Sequence, residues 1–262
     1  MLKKLIIVLL LLSLIVTGIW YAGIPDRWAA GRIEGLLQGG RIRTELIGFK
    51  KTPFFGFRIE EVRIMHNRRQ LLSIDGVSGR IDPLSLLLFG VKVSFTGHLS
   101  GGTISGEALL KRDGIRAAID VRSVRLEGLD LMADSAIRGN GSLDMTGVMD
   151  RGEGNLYFEV KNMALKDIRK GGLYIPMKFF NHMKGAGSFK GESLRIDAVS
   201  MEGDHIYARL RNCVLERGYF KGTLEVVAEP GLPDDSLVLP ERYKQAPGYY
   251  AIPLKGKVRD IL

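Results

Sequence analysis

Residues 71–110 read LLSIDGVSGRIDPLSLLLFGVKVSFTGHLSGGTISGEALL and decide the fold class of this chain. Within that stretch the apolar side chains of Val91, Val93 and Phe95 alternate with polar ones such as Lys92. A period of two is typical of a β-strand that has one dry face and one solvated face. The stretch therefore predicts antiparallel sheet rather than helix.

The rest of the chain repeats this pattern. Alternating segments follow one another with short turns between them, which favours antiparallel pairing of neighbours. Paired glycine steps recur beside these segments, at residues 101–102, 139–141, 152–154 and 185–187. The sequence predicts a mainly β fold built by successive hairpins into one elongated, mostly antiparallel sheet with one or two short helices.

Composition limits the classes of partner and cofactor. The chain has 262 residues and a formal net charge of +9, but its cations are spread along the polar positions of the strands. A nucleic-acid interface would need a dense basic patch with interleaved aromatics, so nucleic acid is not an expected partner. A mildly basic surface also suits an anionic membrane. Cys213 is the only cysteine, so no intramolecular disulfide can form.

The first 23 residues predict a membrane anchor. Lys3 and Lys4 precede an apolar run that extends from Leu5 to Tyr21. Its length suits a helix that spans a bilayer, and its final Trp-Tyr pair suits the aromatic belt at the interface. The alternative is a cleaved signal peptide. The flanking lysines predict a cytoplasmic N-terminus, with the remaining chain across the inner membrane in the periplasm.

Residues 24–40 predict a short amphipathic helix, which either packs on the following domain or lies on the membrane. Pro25 and Asp26 suit its first turn, and a glycine pair ends it. Residues 41–262 then form the β domain. Two segments interrupt the strand pattern: residues 175–183, where a short helix is expected, and a loop at 230–240.

The sequence holds no recognisable catalytic, cofactor or metal motif. The glycine steps complete neither a dinucleotide-binding nor a P-loop pattern. There is no nucleophile elbow, and the four histidines have no metal-ligand spacing. The chain is therefore predicted not to be an enzyme and to carry no cofactor or metal.

The alternation predicts which residues share the dry face of the sheet. If that face were fully covered it would be an ordinary core, and if it were open it would be a binding groove. The sequence leaves both possibilities open. The candidate apolar groove face consists of Val91, Val93, Phe95, Ile104, Ile115, Ile119, Val121, Phe158, Leu224 and Val226.

Several segments resemble the N-terminal part of AsmA-like proteins. They are residues 57–64 (FRIEEVRI), 71–75 (LLSID), 84–90 (LSLLLFG), 99–106 (LSGGTISG) and 243–256 (YKQAPGYYAIPLKG). Together with the single anchor, they most resemble the type II secretion system protein N family (GspN) in its AsmA-like form. The usual Gly-Thr-Leu close of that family is here Gly256-Lys257-Val258.

The resemblance implies a curved β groove or half-barrel with an apolar inner face. It implies a non-enzymatic accessory component of the type II secretion machine, anchored in the inner membrane and in contact with other secretion proteins. The wider AsmA-like group implies the alternative, a protein that binds or transfers lipid in the cell envelope.

Overall fold

The computed structural model of the protein describes residues 17–38, 42–66, 69–87, 89–130, 139–170, 173–175, 177–191, 193–230 and 239–257. The predicted mainly β, antiparallel fold with a few short helices is confirmed. Among the described residues, no helix is both long and apolar enough to cross a membrane. Most of the predicted anchor, residues 1–16, lies outside the described residues.

The chain folds as two compact units. The first comprises the residues up to Leu99 together with Ile104–Arg112, and the second comprises Ser100–Thr103 together with Asp113–Leu262.

The first unit carries a sheet of strand order β1-β3-β4-β5-β6, with β2 also paired to β3. Its elements are a π-helical turn (Ile19–Gly23), α1 (Asp26–Leu37), β1 (Ile42–Ile47), β2 (Lys50–Thr52), β3 (Gly56–His66), β4 (Arg69–Asp82), α2 (Pro83–Leu87), β5 (Gly90–Leu99) and β6 (Gly102–Lys111).

The predicted helix of residues 24–40 is α1, and it packs beside strand β1. It buries Ala29 and exposes Trp28. The Glu34 carboxylate accepts a hydrogen bond from the backbone N–H of Leu46 at 2.8 Å. That contact satisfies a donor on the edge strand, which otherwise would remain available to another strand.

The second unit carries a sheet of order β7-β8-β9-β12-β13-β14-β15-β17-β16 and a separate β10-β11 pair. Its strands are β7 (Gly114–Arg125), β8 (Gly139–Asp150), β9 (Glu153–Leu165), β10 (Ile168–Lys170), β11 (Leu173–Ile175), β12 (Phe180–Lys190), β13 (Ser193–Gly203), β14 (Ile206–Glu216), β15 (Tyr219–Ala228), β16 (Lys244–Ala246) and β17 (Tyr249–Lys257). Short 3-10 turns lie at Leu126–Gly128, Met177–Phe179 and Glu241–Tyr243.

The helix expected over residues 175–183 is limited to the 3-10 turn Met177–Phe179, because Phe180 already begins β12. Met177 and Phe180 are both fully buried. Tertiary packing of these two side chains therefore outweighs the local helix signal that Pro176 gives.

Tight turns join several of the strands, and their central residues adopt positive φ. In the β8–β9 hairpin Arg151 has φ of 51° and Gly152 of 85°, and in the β14–β15 hairpin Arg217 has 47° and Gly218 has 78°. Positive φ at both central residues matches the right-handed twist of the flanking strands. Some of the recurring glycines that the sequence displays are thus turn residues.

Candidate functional site

In the second unit, the pairing of the strands places one uncharged set of side chains on a single face. Directly paired residues of an antiparallel sheet point to the same side, so the pairs define rows that cross the strands. The first row contains Val124, Leu143, Val160, Met183, Met201, Ala208, Val226 and Tyr250.

Three further rows complete this surface, which we call the apolar face. The second row contains Val121, Met145, Phe158, Gly185, Val199, Leu210, Leu224 and Ile252. The third contains Ile119, Gly147, Leu156, Gly187, Ile196 and Cys213. The fourth contains Ala117, Met149, Gly154, Phe189, Leu194, Leu215, Phe220 and Gly256. None of these described residues is charged.

Irregular residues keep the apolar side chains on this face where their spacing changes. The spacing becomes three between Val121 and Val124 and between Leu210 and Cys213, with register shifts at both places. Ser123 and Asn212 lie within these steps at φ of 54° and 53°. In a regular strand a spacing of three would turn the next side chain to the opposite face, so the bulge at each step keeps that side chain on the apolar face.

One end of the apolar face is covered and forms the core of the second unit. There Val160, Phe180 and Val226 are essentially inaccessible to solvent. The 3-10 turns supply Leu126 and Met177 to the same cluster, whose partly buried neighbours include Tyr243. We call this end the covered half.

The other end, which we call the hairpin half, lies near the β8–β9 and β14–β15 turns. Its side chains are only half-buried and do not belong to the core cluster. They include Met149, Phe189, Leu194, Leu215 and Phe220. Since half-burial leaves apolar surface in contact with water, this half is the part of the face that could accept a ligand.

Glycines on the apolar face make room for aromatic rings that lie along the sheet. A Cβ atom at Gly185 would collide with the Phe158 ring, and one at Gly154 would collide with the Phe189 ring. These glycines are therefore required by packing, since a side chain there would displace the ring.

The structure distributes the ten predicted groove residues between the two units. In the first unit, Ile104 is buried, whereas Val91, Val93 and Phe95 are half-buried. Phe95 pairs with Gly79, whose Cβ position the Phe57 ring occupies. These residues form the first unit's share of the predicted surface.

In the second unit, the remaining predicted residues differ in exposure. Val121, Leu224 and Val226 are buried, Ile119 and Phe158 are half-buried, and Ile115 is 39% exposed. Except for Ile115, which precedes the residues of β7 that pair with β8, all of them lie in the rows of the apolar face.

The opposite face of the second unit is charged and carries a network of ion pairs. Glu159 lies 2.8 Å from His182 and 3.1 Å from Lys161, and Lys161 reaches Asp144 at 3.0 Å. His182 and then Lys161 hold the pKa of the Glu159 carboxyl below its usual range. For Asp144 the pKa is lowered chiefly by the backbone N–H of Ser123.

This network is typical of a solvated sheet face. Exposed ion pairs contribute little individually, and cross-strand pairs of opposite charge favour the observed register. Among the described residues, no group of three His, Cys, Asp or Glu side chains is arranged to hold a metal ion.

A depression of about 780 Å³ lies near the β8–β9 turn, lined mostly by polar and charged residues but also by Met149 and Phe189 of the apolar face. Its cations already have carboxylate partners: Lys190 lies 2.6 Å from Glu153, and Arg151 lies 3.4 Å from Asp150. With these charges paired, the polar part of the depression offers a weaker basis for ligand binding than its apolar residues, which belong to the hairpin half.

The first unit contains a buried lysine that sequence reasoning missed. The Lys51 ammonium donates hydrogen bonds to the carbonyl oxygens of Trp20 at 2.7 Å and Tyr21 at 2.9 Å, and to that of Ile24. It also lies 3.6 Å from Asp26. The cation thereby satisfies carbonyls at the end of the π-helical turn, where a helix dipole favours positive charge.

Lys51 thus joins the N-terminal helical segment to the β2–β3 hairpin. The indole N–H of Trp20 donates to the Thr52 carbonyl at 3.3 Å, and the Trp20 ring stacks on Phe55 with centroids 5.8 Å apart. We call this set of contacts the lysine junction. The only trace of this junction in the sequence is the lysine pair at 50–51 close to the phenylalanine pair at 54–55.

Comparison of the chain with known proteins gives no match to a family model, a curated protein or a solved structure.

Proposed function

We propose that this protein is a non-enzymatic component of the cell envelope whose β-sheet binds apolar ligands, above all the acyl chains of lipids. The observation that carries the proposal is the apolar face of the second unit. Its rows contain no charged residue among the described positions, and its hairpin half is only half-buried.

The chemistry of the face suits an acyl chain better than a polar substrate. An acyl chain needs contact with CH and CH₂ groups over an extended surface, and each buried methylene contributes about 0.8 kcal/mol. The fourth row supplies such contacts from Met149 on β8, Leu194 on β13 and Leu215 on β14. A reaction would also need convergent polar groups, and the paired positions of this face supply none.

In the cell, we propose that the chain is held by its N-terminal apolar run in the inner membrane, with both units in the periplasm. The lysine flank and the length of that run support this topology. An anchored apolar-binding sheet would be placed where lipid is abundant.

A second candidate role is that of an accessory component of the type II secretion machine. The segments that resemble the protein N family support it, including residues 57–64 and 243–256. In that role the ligand of the apolar face would be an apolar part of another secretion protein. Deletion of the gene should then block release of secreted enzymes, whereas a lipid role should alter membrane lipid composition while secretion continues.

A matched pair of substitutions on β14 tests the binding proposal. Leu215 lies on the hairpin half of the apolar face, and its neighbour Val214 lies on the charged face. We expect Leu215→Glu to reduce the phospholipid that native mass spectrometry detects on the purified full chain, and Val214→Glu to leave it unchanged. Equal lipid content in both folded variants, or no lipid in the parent protein, would refute the proposal.

A further inference from the structure

Three aromatic side chains are exposed near the start of the first unit. Tyr21 is 56% exposed, Trp28 55% and Phe54 67%. Arg27 and Arg32 are also exposed on α1, and the Arg32 guanidinium lies 5.3 Å from the centre of the Trp28 ring. We call these five residues the aromatic–basic surface.

The lysine junction fixes the elements that carry this surface. The contact of Phe55 with Trp20 holds the β2–β3 turn, and with it Phe54, against the helical turn that contains Tyr21. Lys51 binds the carbonyls that lead from this turn towards α1, which carries the other three residues. The exposed side chains are therefore presented on an ordered framework.

Phe54 has a strained backbone conformation, and its ring is exposed to solvent. Phe54 and Phe55 have φ of 57° and 62°, a region that bulky residues rarely adopt. The Phe55 ring is buried against Trp20, which offsets the strain at that residue. The Phe54 ring remains in solvent, so the described fold gains little packing from it.

We propose that the aromatic–basic surface is seated in the headgroup layer of an anionic bilayer. This inference rests on the proposed membrane anchorage, because the apolar run from Leu5 ends at Tyr21, within the surface itself. A bilayer that contained the run would therefore border these residues. Tryptophan and tyrosine favour the headgroup region, and arginine binds anionic lipid.

The surface combines features that suit this partner. Its arginines can bind lipid phosphates while the aromatic rings enter the acyl boundary, as in helices that lie at an interface. The lysine junction would then set the orientation of the first unit on the membrane, instead of leaving it on a free tether.

The two tryptophans of the chain allow a direct test. In Trp20→Phe, which keeps an aromatic ring beside Phe55 and all the Lys51 hydrogen bonds to backbone carbonyls, Trp28 is the only tryptophan, so its fluorescence reports the surface. We would incorporate the full chain into vesicles of phosphatidylcholine and phosphatidylglycerol whose acyl chains carry bromine at a shallow position. We expect quenching of Trp28 by the brominated lipid, greater with phosphatidylglycerol than with phosphatidylcholine alone.

Substitutions then separate docking from anchorage. Removing an arginine should lower the ratio of docked to undocked protein about fivefold, so Arg27→Gln with Arg32→Gln lowers it about 25-fold. Arg112→Gln with Arg217→Gln, which removes the same charge from two exposed turn residues, should leave it unchanged. Phe54→Asn should reduce quenching while the fold persists, since asparagine tolerates positive φ.

The proposal is overturned if Trp28 emits as a hydrated indole and brominated lipid does not quench it, while the chain resists extraction by alkaline carbonate. It is also overturned if Trp28 becomes shielded only when another membrane protein is present. Quenching of a chain that carbonate does extract would refute the anchor and support the docking surface.

Discussion

Replacing Lys51 by methionine should destabilise the first unit near its N-terminal helical segment. The side chain of Lys51 is only 3% exposed, and its ammonium donates to three backbone carbonyls and lies 3.6 Å from Asp26. Methionine keeps an apolar stem of similar length but donates no hydrogen bond. The substitution therefore isolates the contribution of the ammonium group.

The expected loss can be estimated from these contacts. A hydrogen bond to a charged group contributes about 1.5–3 kcal/mol. Part of that loss is offset, because the variant no longer buries a cation and water can reach some of the freed carbonyls. We expect Lys51→Met to lower the free energy of unfolding by about 2–4 kcal/mol.

The adjacent Lys50 provides a matched control. Its side chain is 70% exposed and forms an ion pair with Glu60 at 3.1 Å, so Lys50→Met should cost less than about 1 kcal/mol. Both variants would be unfolded by urea in detergent micelles, with Trp20 as the only tryptophan after Trp28→Phe. Equal stability of the two lysine variants would refute the lysine junction as a stabilising element.

Three further outcomes follow from the second unit. Gly185→Ala should destabilise the protein by about 1–3 kcal/mol, because its methyl group would displace the Phe158 ring; urea unfolding measures this. The pKa of the Glu159 carboxyl is lowered in the folded protein, first by His182. The ionised carboxylate therefore stabilises the fold at pH values above the ordinary glutamate pKa of 4.5, and this stabilisation is lost as the pH falls through the lower folded-state pKa. Unfolding midpoints between pH 7 and pH 3 should therefore decline less in Glu159→Gln than in the parent protein. Burial raises the pKa of the Cys213 thiol, so a chromogenic disulfide reagent should react with it only after unfolding.

A specific result would contradict each of these three predictions. Gly31→Ala places a methyl group in open space on α1 and should stabilise by about 0.5–1 kcal/mol, so the same sign at Gly31 and Gly185 would contradict the packing argument. A steeper decline of stability at low pH in Glu159→Gln would contradict the pKa assignment. Rapid labelling of native Cys213 would show that this part of the apolar face opens readily.

Sequence reasoning predicts the fold class because alternation is a local signal. On β5, Val91, Val93 and Phe95 occupy one face, and each pairing that the structure describes next to them is antiparallel. Local alternation does not reveal where a bulge resets the pattern. The step from Val121 to Val124 looks like the end of one strand and the start of another, yet both residues lie in β7.

The sequence predicts which residues belong to the apolar face, but it does not predict which part of that face is covered. Alternation selects Phe158 and Val226 for the dry face, and the pairing places both in its rows. Which half is covered depends on segments distant in sequence, such as the turn that brings Met177 into the same buried cluster as Val160. The role of Lys51 was also inaccessible, because its partners lie about thirty residues earlier and are backbone carbonyls.

Photo-crosslinking of lipid at Phe220 tests the central claim most directly. Phe220 lies on the hairpin half of the apolar face, and its neighbour Tyr219, which is 43% exposed, lies on the charged face. A benzophenone amino acid would replace each residue in turn in the full chain, which would be irradiated in native membranes and analysed by mass spectrometry. We predict lipid adducts at position 220 and few at position 219. Adducts of equal yield at both positions, or none at position 220 in folded protein, would contradict the account.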